Sequence, residues 1–222
     1  MFARLPPVTQ ALLIANVAVF LLQAMLGNAT FSPFMLWPPL GFDPFSPGQS
    51  FQPWQLLTYG FLHGGFGHLF FNMLAVYMFG SPLEQTWGPR RFLAFYLICV
   101  AGAGLCQLLV GWWTMSAGGP AYPTVGASGG VFGLLLAYGM LFPNQRVMLL
   151  FPPIPMKART FVIVFGAISL LLGFTGLQPG IAHFAHLGGM LFGWLVIRYW
   201  RGEPPFGRRR PPRGPSHLRR VK

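Results

Sequence analysis

The placement of charge along the chain constrains its fold more than any motif does. All 15 basic residues fall in alternate connections between six apolar segments. The segments lie at about 8–26, 61–80, 91–111, 128–142, 159–176 and 181–200. Arg4 precedes the first, Arg90 and Arg91 separate the second from the third, and Arg146, Lys157 and Arg159 separate the fourth from the fifth. The other nine run from Arg198 to Lys222, while the opposite connections carry Asp43 as their only formal charge. An even number of crossings with both termini cytoplasmic gathers every cation on one side, as the positive-inside rule requires. An odd number would scatter them.

A soluble domain is excluded by composition. Only 8% of the residues are charged and 54% are apolar, against about 25% charged in ordinary globular chains. The expected fold class is therefore an all-α polytopic membrane protein with a membrane domain over residues 1–200. A basic, proline-rich cytoplasmic tail over 201–222 need not fold. The first segment follows a single arginine and lacks a small-x-small exit site, so it reads as a retained span rather than a cleaved leader. Cys99 and Cys106 share one segment and read as small packed hydrophobes. No metal, nucleotide or redox cofactor is implied.

The fourth segment is short for a crossing of about 20 residues. The Gly/Pro-rich stretch before it, Ser116 to Ala127, can enter the membrane only if protein or a water-filled cavity satisfies its backbone. That would start the fourth helix below the outer surface with Ser128 in its first turn. The same topology puts His63 and His68 near the outer start of segment two, and His183 and His186 near the outer start of segment six. Polar side chains in apolar spans need partners and often line a wet site. Each histidine or serine alone could be a packing residue, but three separate segments bring reactive groups to one depth.

Ser128 needs a base to become a nucleophile, and His186 is the candidate that could take the hydroxyl proton and return it to a leaving amine. Gly126 and Gly129 permit a tight entry and close backbone approach. Gly189 and Gly193 follow His186 at three and seven positions, on roughly the same helical face, where they could let two helices close together. His68 and Asn72, four residues apart, share a face and can donate hydrogen bonds to a developing oxyanion. The Ser128 backbone N–H at a helix start is a third donor. No acid is placed to orient His186, so a serine hydrolase built from these residues would use a Ser-His dyad.

Three stretches in order form a specific signature: His63-Gly64-Gly65-Phe66-Gly67-His68-Leu69-Phe70-Phe71-Asn72, Gly126-Ala127-Ser128-Gly129, and Ala185-His186-Leu187-Gly188-Gly189 through Gly193. From about Trp54 to Trp200 the sequence resembles the rhomboid family of intramembrane serine proteases, of bacterial type. The resemblance implies a six-transmembrane-helix bundle, Ser128 as nucleophile, His186 as base, and His68 and Asn72 on the oxyanion side. The site would open to the extracytoplasmic face of a bacterial plasma membrane. It implies single-span or other transmembrane proteins as substrates, cleaved after local unwinding through an acyl-enzyme. Glu84 and Gly88 resemble a structural turn after helix two, with Glu84 bound to loop backbone or to a cytoplasmic-side basic group. A tyrosine common four residues after the nucleophile is replaced by Phe132, which keeps an aromatic face for His186 but loses a hydroxyl.

The connection from Gly27 to Pro53 is rich in aromatic residues suited to the interface and is expected to shape access to the site. The stretch from Phe151 to Lys157 reads as a plain, proline-stiffened connector. Membrane lipids are the simplest partner of the basic tail, and nucleic acid is not expected, since charge alone supplies no recognition fold. Two other classes would leave different marks. An inactive client-binding relative would have been marked by loss of Ser128 or His186, and a transporter by a repeated pair of broken helices.

Overall fold

The computed structural model describes residues 5–39, 50–148, 153–177 and 181–207. Among the described residues the regular structure is helical, apart from one small hairpin and a single bridge between Leu36 and Thr124. Its helices are α1 (Pro7–Leu26), α2 (Asn28–Phe31), α3 (Gln55–Thr58), α4 (Phe66–Ala75), α5 (Ser81–Trp87), α6 (Pro89–Ser116), α7 (Ser128–Leu141), α8 (Ala158–Thr175) and α9 (His183–Trp200). Of these, α1, α6 and α8 are each long and apolar enough to cross a membrane. Large apolar side chains such as Met25, Leu109, Leu171 and Phe174 point outward from them, as expected where the solvent is hydrocarbon. The chain is an all-α polytopic membrane protein around a helical core.

The second segment departs from its expected bounds of 61–80 at both ends. Helix begins only at Phe66, because Gly65 before it is extended (φ 169°). It then continues to Trp87 through a π turn, Val76–Gly80, and α5. Pro82 would normally clash with the carbonyl four residues back; the widened turn just before it relieves that contact. Helix α6 also outruns its expected bounds of 91–111. Its 28 residues span about 42 Å, more than a hydrocarbon core of about 30 Å. Gly88, with φ 79°, makes the break that separates α5 from α6.

Contacts between helix ends fix which termini lie together. Glu84, almost fully buried, accepts the backbone N–H groups of Val8 (2.9 Å) and Thr9 (2.7 Å) and the Thr9 hydroxyl (2.8 Å). Its carboxylate thus occupies the N-terminus of α1, satisfying orphan donors at the positive end of the helix dipole. The expected partner of Glu84 was a loop or a basic group; it is the first turn of α1. Trp87 packs on Trp200 (5.3 Å between ring centroids), and Arg91 lies over the same indole. The start of α1, the α5–α6 break and the end of α9 therefore share one end. The described cations Arg90, Arg91, Arg146, Lys157, Arg159, Arg198 and Arg201 all belong to it.

The connection between α7 and α8 is not a plain connector. Strands β1 (Arg146–Met148) and β2 (Pro155–Lys157) pair antiparallel, with Arg146 opposite Lys157. At the other end of the bundle, the aromatic connection after α1 is tied down by Gln55, which is wholly buried. Gln55 accepts the Trp37 N–H (3.1 Å) and donates to the carbonyls of Pro33 (3.1 Å) and Ser50 (3.3 Å). Phe42, Asp43 and Phe45 of that connection, and the tail from 208 onward, lie outside the described residues.

Candidate active site

The stretch entering α7 is non-helical, and its last residues pair with other parts of the chain. Thr124 exchanges hydrogen bonds with Leu36 (2.9 and 3.0 Å), and the Gly126 N–H reaches the Tyr59 carbonyl (2.9 Å). These partners satisfy backbone groups of the irregular segment just before α7, where its residues Gly126 and Ala127 are buried. Gly126 adopts φ 129°, a conformation that side chains resist, and a Cβ on it would come within 2.7 Å of His68 Nε2. Glycine at 126 thus allows both the turn into α7 and the approach of the His68 ring. Helix α7 then starts at Ser128 with no side chain capping it. The first helical N–H with a partner inside this turn is that of Val131, on Ala127, so among the described residues the N–H groups beside the serine have no backbone partner.

His186 lies in the first turn of α9, and its Nε2 sits 2.9 Å from Ser128 Oγ. The two residues are 58 positions apart, and a glycine contact between α7 and α9 brings them together. A methyl group on Gly189 would overlap the carbonyl oxygen of Gly129, and one on Gly193 would stand 3.4 Å from Gly133 Cα and 3.1 Å from the Phe95 ring. Helices bearing any side chain at 189 could not approach this closely. Gly129 itself faces Ala103 of α6, and Gly133 faces Cys99. Both cysteines are free thiols in this packing, Cys99 fully buried.

The His186 ring lies flat on Phe132, one turn into α7, with centroids 4.2 Å apart and planes 5° apart. His183 meets His186 edge-on at 5.8 Å. The Nδ1 of His186 is buried and has no partner among the described residues. No carboxylate among the described residues orients it: Glu84 serves α1 and Glu203 pairs with Arg198 (3.7 Å). The ring is held by aromatic stacking instead.

His68 reaches the site through Gly126 and meets His63 edge-on at 5.1 Å. Asn72 is buried one turn further along α4, its Nδ2 without a partner among the described residues. No hydrogen bond joins either side chain to Ser128 or His186. The structure therefore brings together Ser128, His186, Phe132, Gly126, Gly129, Gly189 and Gly193, with His68 alongside and Asn72 as an unengaged donor beyond it. Among the described residues no group of three His, Cys, Asp or Glu side chains is set to hold a metal ion.

Sequence reasoning passed over the residues that position this constellation. Gln23, buried in α1, accepts the His63 N–H (3.0 Å) and donates to its carbonyl (3.4 Å), which fixes the approach to α4. Tyr59 supplies the carbonyl for Gly126 and donates its own hydroxyl to the Val100 carbonyl (2.7 Å). The available signal was a lone amide in an apolar helix, which must find a partner.

Comparison with known proteins places the chain in a family. Residues 50–202 match the family model described as a Rhomboid domain. The chain is 34% identical over 145 residues to RHOMBOID-like protein 4 of Arabidopsis thaliana, across 65% of this chain and 33% of that protein. It is 32% identical over 143 residues to Rhomboid protease GluP of Bacillus subtilis, across 64% and 25%. With Rhomboid protease GlpG of Klebsiella pneumoniae it shares 28% identity over 188 residues, across 84% and 60%. The chain thus spans a quarter to about three fifths of the length of these relatives. The family match covers more than half of the chain, including every element that carries the site: the chain belongs to the rhomboid family.

Proposed function

We propose that this protein is an intramembrane serine endopeptidase that cleaves transmembrane protein substrates near the extracytoplasmic side. The observation that carries the reading is the 2.9 Å contact between Ser128 Oγ and His186 Nε2, at the starts of two helices that glycines hold together. His186 Nε2 takes the hydroxyl proton as Ser128 Oγ attacks the scissile carbonyl carbon. The carbonyl becomes a tetrahedral oxyanion, for which the Ser128 N–H, His68 and the unpartnered Asn72 amide are the donors. Collapse breaks the C–N bond, the leaving nitrogen takes the proton from His186, and an acyl-enzyme remains. Water, deprotonated by His186, then releases the acid. Nε2 must be unprotonated at the start, which puts the resting proton on Nδ1.

Six helical crossings, α1, α4–α5, α6, α7, α8 and α9, give both termini a cytoplasmic position, in a bacterial plasma membrane. The clustering of the described cations at the end away from Ser128 supports this orientation. Substrates are single-span or other transmembrane proteins, unwound locally so that a carbonyl reaches Ser128. A fluorophosphonate probe tests the nucleophile. It should label the wild type at Ser128 and leave Ser128→Ala unlabelled; equal labelling of the two would refute the assignment.

A further inference from the structure

The hairpin between α7 and α8 carries a charge arrangement that the chain itself does not balance. Arg146 stands directly opposite Lys157, and Arg159 is the second residue of α8; all three are exposed. Like charges facing across two strands are destabilising. Lys157 and Arg159 also flank the start of an 18-residue helix, where the helix dipole disfavours cations. Acids to offset this are lacking, because the chain has three in all. Glu84 is engaged with α1 and Glu203 with Arg198. Asp43 belongs to the connection whose flanks, Leu36 and Ser50, pack at the Ser128 end.

The first N–H groups of α8 are already used, Ala158 on the Gln145 carbonyl (2.8 Å) and Arg159 on that of Pro143 (3.2 Å). The unbalanced element is thus the three side chains rather than the helix end. Strand alternation turns Val147 inward to the core and leaves Arg146 and Met148 outward, beside Pro155 and Lys157. Met148 and Ile154 are exposed apolar neighbours of the cations. This face is complementary to phosphate-like oxygens through its guanidinium and ammonium groups and to hydrocarbon through its apolar end. A soluble polyanion would supply the first and leave the second in water.

We propose that the outer face of the β1–β2 hairpin, with Arg146, Lys157 and Arg159, docks the headgroups of anionic phospholipids in the leaflet at the basic end of the bundle. Phosphate oxygens placed between Arg146 and Lys157 turn the repulsive cross-strand pair into a bridged one, and Met148 and Ile154 rest against the acyl chains. The hairpin is then ordered by the lipid around it, independently of any proteolysis.

Hydrogen–deuterium exchange of the full chain, read by mass spectrometry in phosphatidylcholine vesicles with and without phosphatidylglycerol, tests this. Amides of 146–148 and 155–159 should exchange more slowly with phosphatidylglycerol, by about fivefold for each cation engaged, and less so at high salt. The difference should vanish in the variant Arg146→Gln, Lys157→Gln, Arg159→Gln and persist when Arg208, Arg209 and Arg210 of the tail are changed to glutamine. If the triple variant also loses protection in α7 and α9, the single Arg146→Gln variant is read instead, with a partial loss expected. Equal exchange in the two vesicles, protection that survives the triple variant, or protection lost with the tail arginines would each overturn the proposal. So would equal protection by inorganic phosphate in phosphatidylcholine alone, which would make the site one for any free anion.

Discussion

Replacing Gly189 with alanine should disable the proposed protease activity by a displacement whose size can be worked from the structure. The added methyl group would overlap the Gly129 carbonyl oxygen, whereas ordinary contact begins at 3.4 Å. That oxygen is backbone inside a helix and cannot swing aside, so α9 must back away from α7 by on the order of 1 Å. His186 lies one turn before Gly189, and Ser128 adjoins Gly129, so the shift passes directly to the proposed reacting pair. Their 2.9 Å contact becomes roughly 4 Å, outside hydrogen-bond range. Misplacement on that scale costs about 100-fold in rate, and the strain costs about 1–3 kcal/mol of stability. Gly193→Ala is the internal control. Its methyl would stand 3.1–3.4 Å from the Phe95 ring, the Cys99 sulfur and Gly133 Cα, contacts that small adjustments relieve, and activity should stay within about threefold. Cleavage rates in vesicles and thermal unfolding in detergent are the assays. A Gly189→Ala protein that cleaves at the wild-type rate, or a Gly193→Ala protein equally impaired, would refute the argument that this crossing sets the geometry.

Three further outcomes follow from particular contacts. Glu84→Gln removes the charge at the first turn of α1 and should lower stability by about 1.5–3 kcal/mol, seen as a reduced Tm; an unchanged Tm would mean that the carboxylate is not engaged as described. Gln55→Ala strips three hydrogen bonds from the connection after α1 and should make residues 28–39 cleavable by an added protease in detergent while α6 to α9 stay resistant. Phe132→Ala should lower kcat by about two- to tenfold through loss of the stack on His186, with KM little changed and Phe132→Tyr restoring the rate; no change in kcat would show that stacking does not position the base.

The long helices were legible because their signals are local and repeated: apolar runs of membrane length, and basic residues in alternate connections. The proximity of Ser128 and His186 was approachable on the same footing, since the charge pattern put both near one end of the bundle. Their actual contact depends on Gly129 meeting Gly189, and glycine spacing suggests such a crossing without specifying which helix it faces. The ends of elements were less legible. Extension of the second span to Trp87 turns on a π turn that accommodates Pro82, and no sequence period announces it. The hairpin pairs three residues with three among prolines, too short for alternation to show. Glu84 with Val8, Gln23 with His63, and Gln55 with Trp37 are single polar residues paired with partners 76, 40 and 18 positions away. Burial cost shows that each needs a partner but does not name it.

The central claim is most directly tested by cleavage of single-span substrates in reconstituted liposomes by the wild type, Ser128→Ala and His186→Ala. Cleavage by the wild type and its loss in both variants is the predicted result. Equal cleavage by all three would assign the activity to other groups and contradict the account.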